Sequence, residues 1–216
     1  MTVNNSFKST PPFLSGLFIL SLVVSNHTRA APQSIQIGPP QIQGTGCSPQ
    51  TSAVALSPDG TELSLIYDDF RIGTDQNQNT GRANCTQIIP ISIPNGYLLK
   101  VTKADYRGFN SLPDQSVSEF FSEYRFIGEN NPETKKRVRF VGPLLSEFYE
   151  THQIHSKSPC SQRVSLMINT QIIIENKNTS QNAFLQIDTL DMTQPQKKKD
   201  RKAKFQLSLK KCSEER

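Results

Sequence analysis

The sequence predicts an all-β fold, an antiparallel β-sandwich stapled by two disulfides and preceded by an N-terminal signal peptide. Three observations predict it. Apolar residues recur at every second position in short runs. No helical period lasts two turns beyond residue 31. Four cysteines, an even count, all lie downstream of an export-type leader. The chain has 216 residues, 35% of them hydrophobic, with 14 Pro and no Trp. It shows no collagen-like repeat, no heptads and no apolar run of bilayer length.

The leader occupies residues 1–30. Lys8 supplies the positive region, and the apolar run from Pro12 to Val24 is too short to span a membrane. Thr28 and Ala30 are the small residues that signal peptidase requires, so cleavage is expected after Ala30 or Ala31. This implies a secreted protein, extracellular or, in a Gram-negative source, periplasmic, with no transmembrane anchor after cleavage. Residues 31–46, rich in Pro, Gln and Gly, read as an extended lead-in, partly disordered. A single sandwich domain is expected over 47–212, with a tail over 213–216.

The elements follow in order. Ala53–Leu56 and Leu63–Tyr67 flank Ser57-Pro58-Asp59-Gly60, which is a strand, a tight turn and a strand. Residues 68–84 read as a polar loop. Ile88–Ile93 contains Pro90, which points to an edge strand or a bulge. Tyr97–Tyr106, Val117–Ile127, Arg137–Val141 and Ser146–Ile154 alternate or are short and apolar. Arg163–Glu175 is a long period-two strand, and Phe184–Ile187 is another. The last strand carries Phe205, Leu207 and Leu209 on one face, with Lys204, Gln206, Ser208 and Lys210 on the other.

Cys47, Cys85, Cys160 and Cys212 contain no C-x-x-C pair, and three pairings are possible. Pairing Cys47 with Cys85 and Cys160 with Cys212 is preferred. On the chain-entropy model each bridge contributes at most roughly 4 kcal/mol.

Charge is uneven. The formal net charge is +5, yet residues 31–192 are net acidic and residues 193–216 strongly basic. The run Lys197, Lys198, Lys199, Arg201, Lys202 is a solvated loop or a contact for anionic cell-surface or polysaccharide material. Nucleic acid is not expected: only Phe205 lies nearby to stack on a base, and the chain is exported. Lys135-Lys136-Arg137-Val138-Arg139 forms a second basic cluster.

A set of short segments carries a family resemblance. They are Gly44-Thr45-Gly46-Cys47, Leu56-Ser57-Pro58-Asp59-Gly60-Thr61, Tyr67-Asp68-Asp69-Phe70, Asn84-Cys85, Asp105-Tyr106-Arg107-Gly108-Phe109, Phe140-Val141-Gly142-Pro143, Ser158-Pro159-Cys160 and Lys210-Lys211-Cys212. In this order they resemble the secreted family known as domain of unknown function 4360. The resemblance covers about Gly44 to Cys212. It implies an exported β-rich domain with two disulfides and supplies no reaction. Lys157 and Leu209 stand where that family often has Trp, which implies local repacking of the core.

The chain lacks G-x-S-x-G, H-E-x-x-H, a P-loop and G-x-G-x-x-G, and no Ser–His–acid set is marked. His152 and His155, three apart on a strand, point to opposite faces and are read as surface or loop residues. Asp75, Asn77 and Asn79 place oxygens at alternate positions, as a calcium loop does, but lack its Gly and terminal acid. Otherwise no cofactor is indicated. Asp105 and Arg107 share a strand face. They pair with each other, or they hold a ligand carboxylate or sugar with Tyr106 or Tyr67 stacking on it. Gly108 is read as a bend where that strand ends. Asn178-Thr179-Ser180 and Asn84-Cys85-Thr86 are glycan acceptors wherever the source is eukaryotic.

The leading expectation is a non-catalytic envelope or extracellular module with an interaction or structural role. A carbohydrate- or small-ligand-binding domain using Asp105–Phe109 stands second, and a hydrolase or protease inhibitor third.

Overall fold

The computed structural model describes residues 34–128, 134–187 and 203–214. The signal peptide over 1–30 and the basic run Lys197, Lys198, Lys199, Arg201, Lys202 lie outside the described residues.

Thirteen strands are described: β1 (Gln36–Ile37), β2 (Gln41–Gln43), β3 (Ser52–Leu56), β4 (Glu62–Tyr67), β5 (Arg71–Gly73), β6 (Thr80–Ser92), β7 (Tyr97–Leu112), β8 (Ser116–Phe126), β9 (Thr134–Val141), β10 (Leu144–Lys157), β11 (Arg163–Asn176), β12 (Phe184–Ile187) and β13 (Ala203–Lys211). They form two antiparallel sheets. In the first, β1 and β2 both pair with β6, and the order continues β6-β11-β8-β9. In the second, the order is β3-β4-β13-β7-β12-β5, and β10 pairs with β7 on its other side.

The inward residues of both sheets make one core. It includes Leu63, Leu65, Leu99, Phe120, Leu166, Ile172, Ile174, Leu185, Ile187 and Phe205, all fully buried. Each comes from the apolar half of an alternating strand, so sequence period and burial coincide.

Both preferred disulfides form. Cys47 joins Cys85 on β6, and Cys160 joins Cys212 at the end of β13. The β3–β4 hairpin closes as expected, with Leu56 opposite Leu63 and Gly60 at φ +71°. Asp59 organises its turn. Its Oδ1 accepts from Ser57 Oγ at 2.6 Å, Thr61 N at 3.1 Å and Thr61 Oγ1 at 2.8 Å. These bonds, that from Ser57 foremost, hold its carboxyl down at about 2.

Four local expectations need correction. The lead-in is extended but ordered, because β1 and β2 add an edge to β6 and Ile35 is buried in the core. Residues 68–84 are not a continuous loop: Phe70 is buried, Arg71–Gly73 pairs with β12, and β6 begins at Thr80. Pro90 lies in a strand with neighbours on both sides. Its carbonyl accepts from Gly38 N at 2.8 Å, so its donor-less nitrogen also faces the break at Gly38–Pro40 between β1 and β2. Gly108 is not a strand end, since β7 runs on to Leu112. A side chain there would strike the Phe148 ring and the Gln186 carbonyl, so glycine serves close packing.

His152 is also corrected, from surface to core. It is 3% exposed and sits between the sheets. Its Nδ1 lies 2.8 Å from Ser122 Oγ and 2.7 Å from Tyr124 Oη, and Tyr124 Oη lies 3.0 Å from Tyr106 Oη. This polar cluster links β7 and β10 of one sheet to β8 of the other. His155 is exposed on the opposite face of β10, as the spacing requires.

Candidate functional site

Strand alternation divides β7 from Lys103 onward. Ala104, Tyr106, Gly108 and Asn110 point inward, while Lys103, Asp105, Arg107 and Phe109 lie on the outer face. Next to them β10 turns Phe148 and His152 inward and sets Leu145, Glu147, Tyr149 and Thr151 outward. The register places Glu147 opposite Phe109, Tyr149 opposite Arg107 and Thr151 opposite Asp105.

This register builds a polar and aromatic strip on the outer face. Arg107 Nη2 bonds Glu147 Oε1 at 2.8 Å, and Tyr149 Oη donates to Glu147 Oε2 at 3.2 Å. The Arg107 guanidinium carbon lies 5.5 Å from the centre of the Tyr149 ring. Thr151 Oγ1 donates to Asp105 Oδ1 at 2.7 Å, and Lys103 Nζ lies 2.8 Å from Asp105 Oδ2. Tyr149 is 65% exposed and Leu145 is 76% exposed. Beside Lys103 and Asp105, a cleft of about 280 Å³ is lined by Thr61, Glu62, Phe205 and Gln206 as well.

The sequence-derived set is therefore split. Asp105 and Arg107 share the outer face, as expected, but each bonds a partner on β10 and not the other. Tyr106 and Tyr67 are 2% and 1% exposed, inside the core, where neither can stack on a ligand. Tyr106 contacts Phe120 and Phe205, and Tyr67 lies beside Phe70. The exposed ring is Tyr149, which the sequence reading did not select. The signal for it is the outward half of the β10 alternation, Leu145-x-Glu147-x-Tyr149-x-Thr151.

Other candidates settle elsewhere. Asp75 Oδ1 accepts from Asn77 N at 2.7 Å and Gln78 N at 2.8 Å, closing the exposed β5–β6 turn that also holds Asn79. Lys135, Arg137 and Arg139 alternate on the exposed side of β9, with Arg137 3.9 Å from Glu119. The Ser122–His152 contact lies in the closed core, and the hydrogen bonds described for it run to Tyr124 and Tyr106 without a carboxylate. Burial pushes the Tyr106 and Tyr124 hydroxyls far above their ordinary range and holds the His152 imidazole down at about 4.

Comparison with known proteins fixes the family. The model of Domain of unknown function (DUF4360) matches residues 33–212. The chain belongs to this family. The DUF4360 domain thus takes in the β1–β2 edge and ends at the last disulfide. An uncharacterized secreted protein of Arthroderma benhamiae is 30% identical over 154 residues, covering 68% of this chain and 62% of the relative. The chain thus spans less than two thirds of that relative's length. This DUF4360 protein is likewise secreted. Among solved structures it is similar to the module TmCBM61 in complex with beta-1,4-galactotriose. The TM-score is 0.30 and the identity 9%, covering 80% of this chain and 88% of the other. It is also similar to the enzymatically active domain of tailspike protein 4 of bacteriophage CBA120. There the TM-score is 0.22 and the identity 13%, covering 68% of this chain and 19% of the other.

Proposed function

We propose that this secreted DUF4360 domain is a non-catalytic binding module whose outer β7–β10 face holds a neutral, polyhydroxylated glycan. The observation that carries the reading is Tyr149. Its ring is exposed at a strand centre, while its hydroxyl and the neighbouring guanidinium are both fixed by Glu147. A pre-oriented ring offers an apolar face to a sugar ring at low entropic cost. Asp105, Thr151, Arg107 and Glu147 then supply donors and acceptors for hydroxyl groups. The cations nearest the ring are already matched, Lys103 by Asp105 and Arg107 by Glu147. An uncharged ligand suits such a face better than an anion, which would have to displace a carboxylate. The same pairing favours binding over catalysis, because Asp105 and Glu147 act as positioned acceptors and each is engaged by a cation and a hydroxyl.

A glycan array probed with the secreted domain tests this. Selective binding to neutral glycans is expected, lost in Tyr149→Ala and weakened at least tenfold in Arg107→Ala, with melting temperatures preserved. Binding unaffected by both changes, or confined to anionic glycans, removes the reading. Turnover of a glycoside, ester or peptide substrate that one point mutation abolishes would overturn the non-catalytic part.

A further inference from the structure

We propose that Asn178 accepts an N-linked glycan when the protein passes through a eukaryotic secretory pathway, and that Asn84, the other acceptor motif of the domain, does not. A relative 30% identical over 154 residues is an uncharacterized secreted protein of Arthroderma benhamiae.

Both asparagines are half-buried, and the two motifs differ in the chain around them. Asn178-Thr179-Ser180 lies in the turn between β11 and β12, where Thr179, Ser180, Gln181 and Asn182 are all exposed. The turn is held from beneath. Asn176 Nδ2 donates to Gln181 O at 2.7 Å and to Thr74 Oγ1 at 3.1 Å, and Asn176 Oδ1 accepts from Asn178 N at 3.0 Å. On this base Asn178 Oδ1 accepts from Ser180 Oγ at 2.6 Å and from Ser180 N at 3.1 Å. The hydroxyl that the acceptor motif requires is therefore already beside the amide. A bulky, solvated adduct on such a turn displaces no packed group.

Asn84-Cys85-Thr86 runs through the middle of β6, paired with β11 on one side. The segment 44–46 straps over it. Asn84 Oδ1 accepts from Thr45 Oγ1 at 3.1 Å, Asn84 N donates to Thr45 Oγ1 at 3.2 Å, and Asn84 O accepts from Gly46 N at 3.0 Å. Cys85 is tied to Cys47, and Thr86 Oγ1 donates to Asn169 Oδ1 at 3.2 Å. A glycan at Asn84 would have to lift this strap next to the disulfide.

In the transfer, Asn178 Nδ2 forms a bond to the anomeric carbon of a lipid-pyrophosphate-linked oligosaccharide. The anomeric C–O bond breaks, the lipid pyrophosphate leaves with the electron pair, and one amide proton is released. No redox partner is needed.

The test is to secrete the full chain from a fungal expression host and treat it with peptide N-glycosidase in heavy-oxygen water, which converts each glycan-bearing Asn to labelled Asp. Peptide mass spectrometry should find the label at Asn178 and unlabelled Asn at position 84. Asn178→Gln and Ser180→Ala should each lose one glycan mass from the intact protein, and Ser180→Thr should keep it. Label at Asn84, or none at Asn178, overturns the proposal. Site mapping is done on the unaltered chain, so poor secretion of a variant leaves the result readable.

Discussion

Gly108 faces Phe148 directly across the β7–β10 ladder, and the space a side chain would take at 108 is filled by the Phe148 ring. That ring in turn contacts Phe140 of β9, 4.7 Å between centres, and Phe120 of β8. One missing side chain thus lets the edge strand β10 lie flat on β7 while closing the sandwich against the other sheet. Gly108→Ala should destabilise the domain by about 1–3 kcal/mol, as overpacking does. Urea unfolding reads this directly. Phe148→Ala should recover only part of the loss in the double variant, because the Gln186 carbonyl also blocks the site.

Stability should fall in acid in two separate windows. His152 is held at about 4, mainly by burial and further by Lys136, with Asp105 opposing, against 6.5 for the unfolded chain. Between these values the unfolded state binds the extra proton, so stability is full above about pH 6.5 and declines as pH falls towards 4. The drop is about 3 kcal/mol. Replacing the imidazole in His152→Gln should flatten this slope. Asp59 acts in the same direction but lower: its depressed carboxyl favours the fold above 3.8, and that contribution is lost as pH falls through about 2. Denaturant midpoints measured from pH 7 to 2 separate the two. A His152→Gln slope equal to wild type between pH 6.5 and 4 would refute the first assignment.

The binding face should be separable from the fold. Tyr149→Ala and Leu145→Ser remove exposed side chains, so each should change unfolding free energy by less than about 0.5 kcal/mol. Arg107→Ala breaks a half-exposed ion pair and should cost less than about 1 kcal/mol. Calorimetric melting of the three variants checks this, and a collapse of any of them would make these groups structural.

Removing either disulfide should be costly. The bridges close loops of 38 and 52 residues, for which the chain-entropy model gives up to about 4 kcal/mol each, the larger loop slightly more. Paired Cys→Ala variants compared by denaturation measure both. Near-identical stability in either double variant would show that the sheet packing alone fixes that end.

The charge of the basic run carries its own prediction. Neutralising Lys197, Lys198 and Lys199 should weaken retention on an anionic polysaccharide matrix at low ionic strength and leave the melting temperature nearly unchanged. Unaltered retention would remove the anionic-surface reading.

Much of the fold was legible because period two is a strong signal. The β3–β4 hairpin, the long β11 and the inward Phe205 and Leu207 could all be read from local residues, and both bridges followed the simplest pairing. Shorter or longer-range features could not. Arg71–Gly73 is three residues, too short for a period to stand out. The β1–β2 edge depends on β6 for its hydrogen bonds, so its Pro and Gln content reads locally as loose chain. The site was half legible. Asp105 and Arg107 had to share a face, and by the same parity Tyr106 had to leave it. The ring that joins them comes from Tyr149, 42 positions beyond Arg107, and only the register of two strands brings it there. His152 was hidden for a similar reason, since its polar partners come from another strand, in the other sheet.

The two sulfur bridges have a consequence outside the cell, where peptidases attack frayed segments first. One rivets the run-in to β3 onto β6, and the other rivets the last turn of β13 onto the β10–β11 connection. Unzipping from either flank of the sandwich therefore stops at a covalent knot, and a domain of modest hydrophobic content can endure where it is sent.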